Sequence, residues 1–343
     1  MSPHKSRRFL FYVEQDYSFA VLRPLQAAAL AAGHEVRWLL LENASAALLL
    51  PDEQTVADIR AAIAWRPDAV FAPGDRVPGF LPGLKVEVFH GINEDKRGNQ
   101  IPERGLFDLY CTQGPEQTAM LQPLTRQRGY FRVVETGWLK LDSILNYRAP
   151  ETGYSRPQIL YASTFTPRLS GAEALCDEIR RLSERDNWQW LITLHPKMAS
   201  STVAKYQALA SDNLQYFGTD RVIELLHRAD VMVSDNSSVL QEFLLLNKPV
   251  VTFNNRAPLD CMINITEPQQ LQAAIQRALA PDAALKAAIR AYGPRITPWL
   301  DGASAQRVLA AATEMLNSGW QNRKPKNILR NLKMRRQLGY YGL

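Results

Sequence analysis

Two histidines stand where an imidazole could take or share a proton. His90 follows the short expected strand Val86–Phe89 and precedes Gly91, while His195 follows Leu191-Ile-Thr-Leu194 and precedes Pro196-Lys197. A neutral imidazole can accept the proton of an attacking hydroxyl near pH 7. Gly91 leaves room for a ligand, and Lys197 sets a cation beside the second ring. A lone histidine more often serves structure; position at the end of an expected strand separates these two from His4, His34 and His227, which receive no role. The sharpest local signal is Val231-Met-Val-Ser-Asp-Asn-Ser-Ser238, a hydrophobic strand that turns through small polar residues into a helix. A helix start offers unpaired N–H groups and partial positive charge to a phosphate, and Ser237 and Ser238 add hydroxyl donors. Asp235 and the serines are also the residue types that cap helices. This segment alone leaves both readings open.

Other chemistries lack their residues. The sequence has no glycine-rich loop of the P-loop or dinucleotide kind, no Gly-x-Ser-x-Gly elbow and no Asp-x-Asp pair after a strand. No metal or cofactor is therefore expected. Asn93-Glu94-Asp95 reads as a solvated loop. Cys111, Cys176 and Cys261 are odd in number and in no metal-type spacing, which points to a reducing cytoplasm without disulfides or zinc.

These residues need a scaffold that delivers them to one edge. Arg8–Val13 reads as a strand, Ser18–Ala32 as a helix stopped by Gly33, and Glu35–Leu41 as the next strand. Val56–Trp65 reads as a helix, Ala69–Ala72, Val86–Phe89 and Leu106–Cys111 as strands, Gly114–Gln122 as a helix and Phe131–Glu135 as a strand leading to Thr136-Gly137. After a Pro- and Gly-containing linker at Asn146–Pro157 the rhythm restarts. Strands are expected at Gln158–Ala162, Trp188–Leu194, Asp230–Ser234 and Val250–Phe253, and helices at Ala172–Arg185, Val222–Arg228 and Val239–Leu246. Alternating short strands and helices imply parallel, doubly covered sheets. The class is α/β, with Rossmann-like lobes over 1–147 and 148–318 and a tail over 319–343. Ligands of such sheets bind beyond the carboxyl ends of the strands, which is where His90, Thr136-Gly137, Ser163-Thr164, His195 and Asp235–Ser238 fall.

A chain of 343 residues is long for one core, and 46% hydrophobic with 22% charged residues is ordinary for a globular protein. Phe9–Val13 is too short for a secretory core and reads as the first buried strand. No apolar run is long enough to cross a bilayer. The net charge is +6, yet residues 321–343 hold seven basic residues and no acid, so the remainder carries −1. The basic character belongs to the tail, and nucleic acid is not an expected partner. Within the tail Leu329, Leu332 and Met334 interleave with Arg330, Lys333, Arg335 and Arg336. That pattern suits an interfacial helix on anionic lipid or a helix folded back on the body.

The ordered segments Phe89-His-Gly91, Thr136-Gly-Trp-Leu-Lys-Leu-Asp142, Ile159-Leu-Tyr-Ala-Ser-Thr-Phe165, Leu194-His-Pro-Lys197, Ala229–Ser238 and Leu246-Asn-Lys-Pro249, closed by Asp301-Gly302 and Arg307, resemble the CDP-glycerol glycerophosphotransferase family of teichoic-acid-type primases and polymerases. The resemblance implies a GT-B-like fold with the site in an interlobe cleft. It implies His90 as general base on an acceptor hydroxyl and His195 as the stabiliser of charge on the transferring phosphate. Asp235, Ser237 and Ser238, with Ser163 and Thr164, are expected to hold the donor diphosphate; Gly91, Gly137, Lys140 and Lys197 are further candidates for substrate contact. The reaction implied is transfer of glycerol phosphate from a CDP-activated donor to a lipid-linked or polysaccharide acceptor, releasing CMP. It would serve cell-surface polymer or capsule assembly, in the cytoplasm or on the inner face of the plasma membrane. The family's Thr-Pro-Leu-Lys-type run after His-Gly is replaced by Ile92-Asn-Glu-Asp-Lys-Arg97, where Lys96 or Arg97 takes the place of the lysine at another offset. The family's Asp-Tyr-Ser-Ser is Asp235-Asn-Ser-Ser238. Two rivals share the diphosphate-gripping turn: a GT-B glycosyltransferase or sugar-nucleotide epimerase, and an inactive nucleotide-binding member of the family. The two histidines argue against the second.

Overall fold

The computed structural model describes residues 5–91, 103–148, 153–185 and 187–341; Asn93–Asp95, Lys96 and Arg97 lie outside them. The chain divides into two compact units, Met1–Leu145 with Ile296–Leu343, and Asn146–Arg295. The first division lies between Leu145 and Asn146. The second corrects the expected limits: the second lobe ends at 295 rather than 318, and the chain then returns to the first.

The first lobe is built from β1 (Arg8–Val13), α1 (Tyr17–Ala31), β2 (Glu35–Leu40), α2 (Ile59–Trp65), β3 (Ala69–Ala72), β4 (Leu84–Glu87), β5 (Leu109–Thr112), α3 (Pro115–Arg128), β6 (Arg132–Glu135) and α4 (Leu139–Leu145). Its six strands are all parallel in the order β2-β1-β3-β4-β5-β6. Alternate side chains feed two cores, as strand geometry requires. Phe9, Phe11 and Val13 point to one face with Phe71 and Val86; Leu10 and Tyr12 point to the other with Val70 and Ala72. Helix α2 starts at Ile59 rather than Val56 because the Asp58 carboxylate caps it, accepting from the Ala61 N–H at 2.8 Å. Pro24 inside α1 has no N–H for the Ala20 carbonyl, and the Ser143 hydroxyl on α4 donates to that carbonyl at 3.0 Å instead.

The second lobe comprises β7 (Gln158–Ser163), α5 (Ala172–Arg185), β8 (Gln189–Leu194), α6 (Ser200–Gln207), β9 (Leu214–Tyr216), α7 (Val222–Arg228), β10 (Val231–Ser234), α8 (Val239–Leu245), β11 (Val250–Phe253), β12 (Met262–Ile265), α9 (Leu271–Leu279) and α10 (Ala283–Ile296). Its sheet is again six-stranded and parallel, in the order β12-β11-β10-β7-β8-β9. Strands β7, β8, β10 and β11 are buried along their whole length, as strands covered on both faces must be.

Two further helices, α11 (Ser304–Asn317) and α12 (Ile328–Gln337), complete the first lobe. Val308, Leu309, Ala312 and Met315 of α11 join the core beneath β1 and β4. Each large apolar side chain buried there contributes roughly 1.5–3 kcal/mol, so α11 is integral to that lobe. The basic tail is also held. Lys324 forms a buried ion pair with Asp108, the Gly79 N–H donates to Asn331 Oδ1 at 3.1 Å, and Arg335 lies over the rings of Phe80 and Tyr340 at 4.5 and 5.0 Å. Met334, expected on a lipid-facing stripe, is buried instead, whereas Ile328, Leu329 and Leu332 remain exposed.

Candidate functional site

In a doubly wound sheet the crevice for a ligand opens where successive strands depart to opposite sides. In the second lobe that point lies between β7 and β10. The loops there are Ser163–Gly171 and Asp235–Ser238, which the sequence had singled out at one end each. Asp235 is 1% exposed, and its carboxylate is turned into the protein. Oδ2 accepts from the Ser163 hydroxyl at 2.5 Å and the Gly171 N–H at 2.9 Å, and Oδ1 accepts from the Thr164 N–H at 3.1 Å. Burial raises its pKa, against the hydrogen bonds that favour the charged form. Asp235 and Ser163 thus bond to each other, and Ser163 also shares a 2.9 Å contact with Ser170 Oγ. Both residues shape the loops, and Thr164 is buried beside them.

Ser237 and Ser238 are placed differently. Ser238 occupies the N-cap position of α8 without a side-chain capping bond, and neither serine hydroxyl has a hydrogen bond among the described residues. The capping role that these residue types commonly take is therefore not in use. Asn236 joins three loops. Its Nδ2 donates to the carbonyls of Leu169 at 3.0 Å and Asn254 at 3.2 Å, and its Oδ1 accepts from the Arg256 N–H at 3.0 Å. This draws Arg168 and Arg256, both exposed, onto the loops that flank Ser237. Sequence reasoning missed both arginines, because only the tertiary pairing of β7, β10 and β11 brings them to the same edge.

His195 lies one residue beyond β8, next to β7. Its Nδ1 accepts from the Lys197 N–H at 3.0 Å. A backbone N–H can only donate, so the neutral ring carries its proton on Nε2. Phe165 packs against the imidazole at 4.4 Å between centroids, and the Lys197 ammonium lies 5.9 Å from the Phe165 ring.

In the first lobe the corresponding crevice lies between β1 and β3. Glu14 follows β1, Pro73–Arg76 follow β3, and His90 follows β4. The strand stops at Glu87, earlier than expected, because Phe89 adopts φ of 53°. A bulky residue in that region costs about 1–3 kcal/mol and marks a backbone held by its surroundings. The turn redirects His90, whose Nδ1 lies 3.0 Å from the Pro73 carbonyl oxygen. A carbonyl can only accept, so Nδ1 carries the proton and Nε2 of the neutral ring keeps its lone pair. The two histidines hold opposite tautomers. Tyr17 stacks on His90 at 4.5 Å and 28°. Arg76 pairs with Glu14 at 3.0 Å, while burial, the leading cause, raises the Glu14 pKa. Glu14, Tyr17 and Arg76 escaped the sequence reading, although Glu14 lies directly beyond a recognised strand.

The remaining expected contacts have structural surroundings. A Cβ on Gly137, whose φ is 89°, would lie 2.5 Å from Ser304 Oγ and 3.1 Å from Trp299 Cβ. The Asp142 carboxylate accepts from the N–H groups of Ser304 and Ala305 at 3.0 and 2.7 Å, and Arg307 pairs with Asp301, lies 4.0 Å from the Trp299 ring and donates to the Thr136 carbonyl. The segment Thr136–Asp142 therefore seats α11 on the first lobe. Lys140 lies over Trp138 at 5.9 Å. Among the described residues nothing lies within 4 Å of where a Cβ on Gly91 would stand. Lys248, in the Leu246–Pro249 segment, donates to the carbonyls of Leu226, His227 and Ala229 at 3.0, 2.6 and 2.7 Å and so closes the end of α7. All three cysteines are free. Among the described residues no group of three or more His, Cys, Asp or Glu could hold a metal ion, and no helix is long and apolar enough to cross a membrane.

Residues 136–257 match the family described as CDP-Glycerol:Poly(glycerophosphate) glycerophosphotransferase. The match bears out the resemblance over every segment from Thr136 to Pro249, whereas Phe89-His-Gly91 and Asp301–Arg307 lie outside it. No curated protein matches the chain in sequence. Among solved structures, the fold is similar to a putative UDP-N-acetylglucosamine 2-epimerase from Listeria monocytogenes, at 13% identity, TM-score 0.65, over 93% of this chain and 98% of that one. It is similar to MnaA of S. aureus in its UDP co-structure, at 16% identity, TM-score 0.63, over 91% and 97%. It is also similar to the wall teichoic acid polymerase TagF soaked with CDPG, at 16% identity, TM-score 0.64, over 92% and 91%. These likenesses establish a GT-B-like α/β fold of two lobes.

Proposed function

We propose that this chain transfers glycerol phosphate, or a closely related group, from a CDP-activated donor to a hydroxyl of a lipid-linked or polysaccharide acceptor in cell-surface polymer assembly. The observation that carries this reading is the coincidence of the family match with the β7/β10 crevice, where the hydroxyls of Ser237 and Ser238 remain available to a phosphate. The backbone-fixed tautomers support the division of labour between the histidines. His90 Nε2 takes the proton of the acceptor hydroxyl as its oxygen forms a bond to the β-phosphorus. The bond from that phosphorus to the bridging oxygen breaks, and CMP leaves with the electron pair. His195 donates Nε2–H to a non-bridging phosphoryl oxygen, and Ser237, Ser238, Thr164, Lys197, Arg168 and Arg256 surround the remaining charge. Asp235 and Ser163 contribute by holding the two loops together. Catalysis of this kind rests on positioning and charge stabilisation. The exposed Ile328, Leu329 and Leu332, bordered by Lys333 and Arg336, support a peripheral contact with an anionic membrane on the cytoplasmic side.

The test is mass spectrometry of nucleotide and product with purified protein, CDP-glycerol and a glycerol-phosphate-primed lipid acceptor. CMP and an acceptor heavier by one glycerol phosphate are expected. Turnover retained by His90→Ala would remove the assigned base. The similarity to the epimerase and to MnaA favours a second reading, a sugar-nucleotide enzyme on the same fold. Thermal stabilisation by UDP-sugars but not by CDP or CDP-glycerol would replace the first reading with this one.

A further inference from the structure

Each of the two histidines has an aromatic neighbour that the hydrophobic effect alone would not place there. Tyr17 is 41% exposed and Phe165 is 38% exposed, among the most accessible aromatic side chains described. Both stand at the carboxyl edge of a sheet, Tyr17 at the start of α1 and Phe165 two residues beyond β7. Tyr17 belongs to neither core cluster of the first lobe's sheet. Tyr17 stacks on His90, and Phe165 packs against His195 with the Lys197 ammonium 5.9 Å from its ring.

A hydrogen bond to one nitrogen of an imidazole fixes a direction, whereas an aromatic ring packed on its face bears on its plane. For His90 the bond from Nδ1 to the Pro73 carbonyl fixes a direction, and the Tyr17 ring at 4.5 Å and 28° fixes the plane. For His195 the bond from the Lys197 N–H to Nδ1 fixes a direction, and Phe165 at 4.4 Å and 36° restrains the plane. The same two-point restraint is thus built twice, from unrelated segments, on rings of opposite tautomer. Burying large aromatic surface normally yields more stability than leaving it near 40% exposed. A sequence selected for stability alone would tuck such rings inward.

We infer that Tyr17 and Phe165 are positioning residues that set the ring planes of His90 and His195, and thereby the directions in which the two Nε2 atoms meet the acceptor hydroxyl and the phosphoryl oxygen. This rests on the transferase reading for its catalytic consequence but not for its geometry. Misplacing a reacting group by about 1 Å can cost on the order of 100-fold in rate. Tyr17→Leu and Phe165→Leu are accordingly expected to lower kcat by about 10- to 100-fold while leaving donor KM within about twofold. Tyr17→Phe and Phe165→Tyr, which keep the ring, should restore most of the rate.

Two arms decide the matter. In the ligand-free protein, long-range proton–nitrogen NMR of labelled histidine should show His90 protonated on Nδ1 and His195 on Nε2. Each leucine variant should shift its own histidine towards a tautomer average or broaden it, and each aromatic variant should not. Melting temperatures of all four variants should stay close to wild type, since both side chains are substantially exposed. The proposal is overturned if the leucine variants keep wild-type histidine spectra, or if wild-type turnover exists and they retain it. If the wild-type protein releases no CMP at all, the transferase reading fails while the NMR arm still decides the positioning.

Discussion

Asp235→Asn separates a carboxylate that shapes the two loops of the β7/β10 crevice from one that touches a ligand. The two carboxylate oxygens accept three hydrogen bonds, from the Ser163 hydroxyl, the Gly171 N–H and the Thr164 N–H. An amide offers one oxygen. Placed at Oδ2 it retains the first two partners, but its NH2 then faces the Thr164 N–H and leaves that buried donor unpaired, at a cost of about 1–3 kcal/mol. The two retained bonds also lose charge assistance, a further loss on the order of 1 kcal/mol. Against this, burial disfavours the ionised carboxylate and raises its pKa, so removing the charge returns part of the loss. A net destabilisation of about 2 kcal/mol follows, roughly 4–8 °C in melting temperature for a lobe of this size. Because the carboxylate joins the two loops of the β7/β10 crevice, donor KM should rise several-fold with a smaller change in kcat. Calorimetry and initial-rate kinetics read both quantities. A variant of wild-type stability that no longer turns over would show the carboxylate acting on substrate directly and would refute the shaping role.

Gly137→Ala should destabilise the first lobe by about 2–4 kcal/mol, from positive φ and the 2.5 Å approach to Ser304; urea unfolding measures it, and wild-type stability with lost turnover would return Gly137 to the substrate. Lys324→Met leaves Asp108 buried without its partner and should cost about 3–5 kcal/mol; Asp108→Asn combined with it should recover part of the loss. Burial lowers the Lys248 amine to about 8. Its folded pKa lies below the ordinary lysine value of 10.5, so the unfolded chain binds more protons between those values and stability should rise with pH across that window relative to Lys248→Met. A fall there would mean that its three carbonyl bonds outweigh burial. Sedimentation with anionic liposomes should be salt-sensitive and weakened by Leu329→Ser with Leu332→Ser; unchanged binding would remove the membrane contact.

Local periodicity made much of the fold legible. Helices α5 and α7 and strands β3 and β11 occupy the expected residues, because their apolar spacing and flanking turn residues agree with the tertiary structure. Strand β4 starts two residues early because Lys85 is accommodated in the sheet, its amine donating to the carbonyls of Leu81 and Gly83 at 2.6 Å each. A buried lysine has no signature in a hydrophobic pattern. The return of 296–343 to the first lobe was hidden for a similar reason. The partners of α11 and the tail lie far back in sequence, at Thr136–Asp142, Asp108 and Gly79.

The same distinction explains which parts of the site could be foreseen. Residue type and strand-end position singled out His90, His195 and the Ser237-Ser238 turn as candidates, because ligand-facing loops of a parallel sheet begin where buried strands stop. What each group does at that edge depends on partners supplied by other strands. The Pro73 carbonyl reaches His90 from the loop after β3, and the Ser163 hydroxyl and Thr164 N–H reach Asp235 from the end of β7. Asp235 carries the more obvious charge, yet it is turned inward, while the hydroxyls of the two serines beside it make no hydrogen bond among the described residues. An ionised carboxylate facing a diphosphate would repel it, whereas a carboxylate buried behind the loop can fix hydroxyl and N–H donors in place. Under the proposed function the fold uses its charge to organise the loops and leaves the neutral donors and the neighbouring arginines to meet the phosphate.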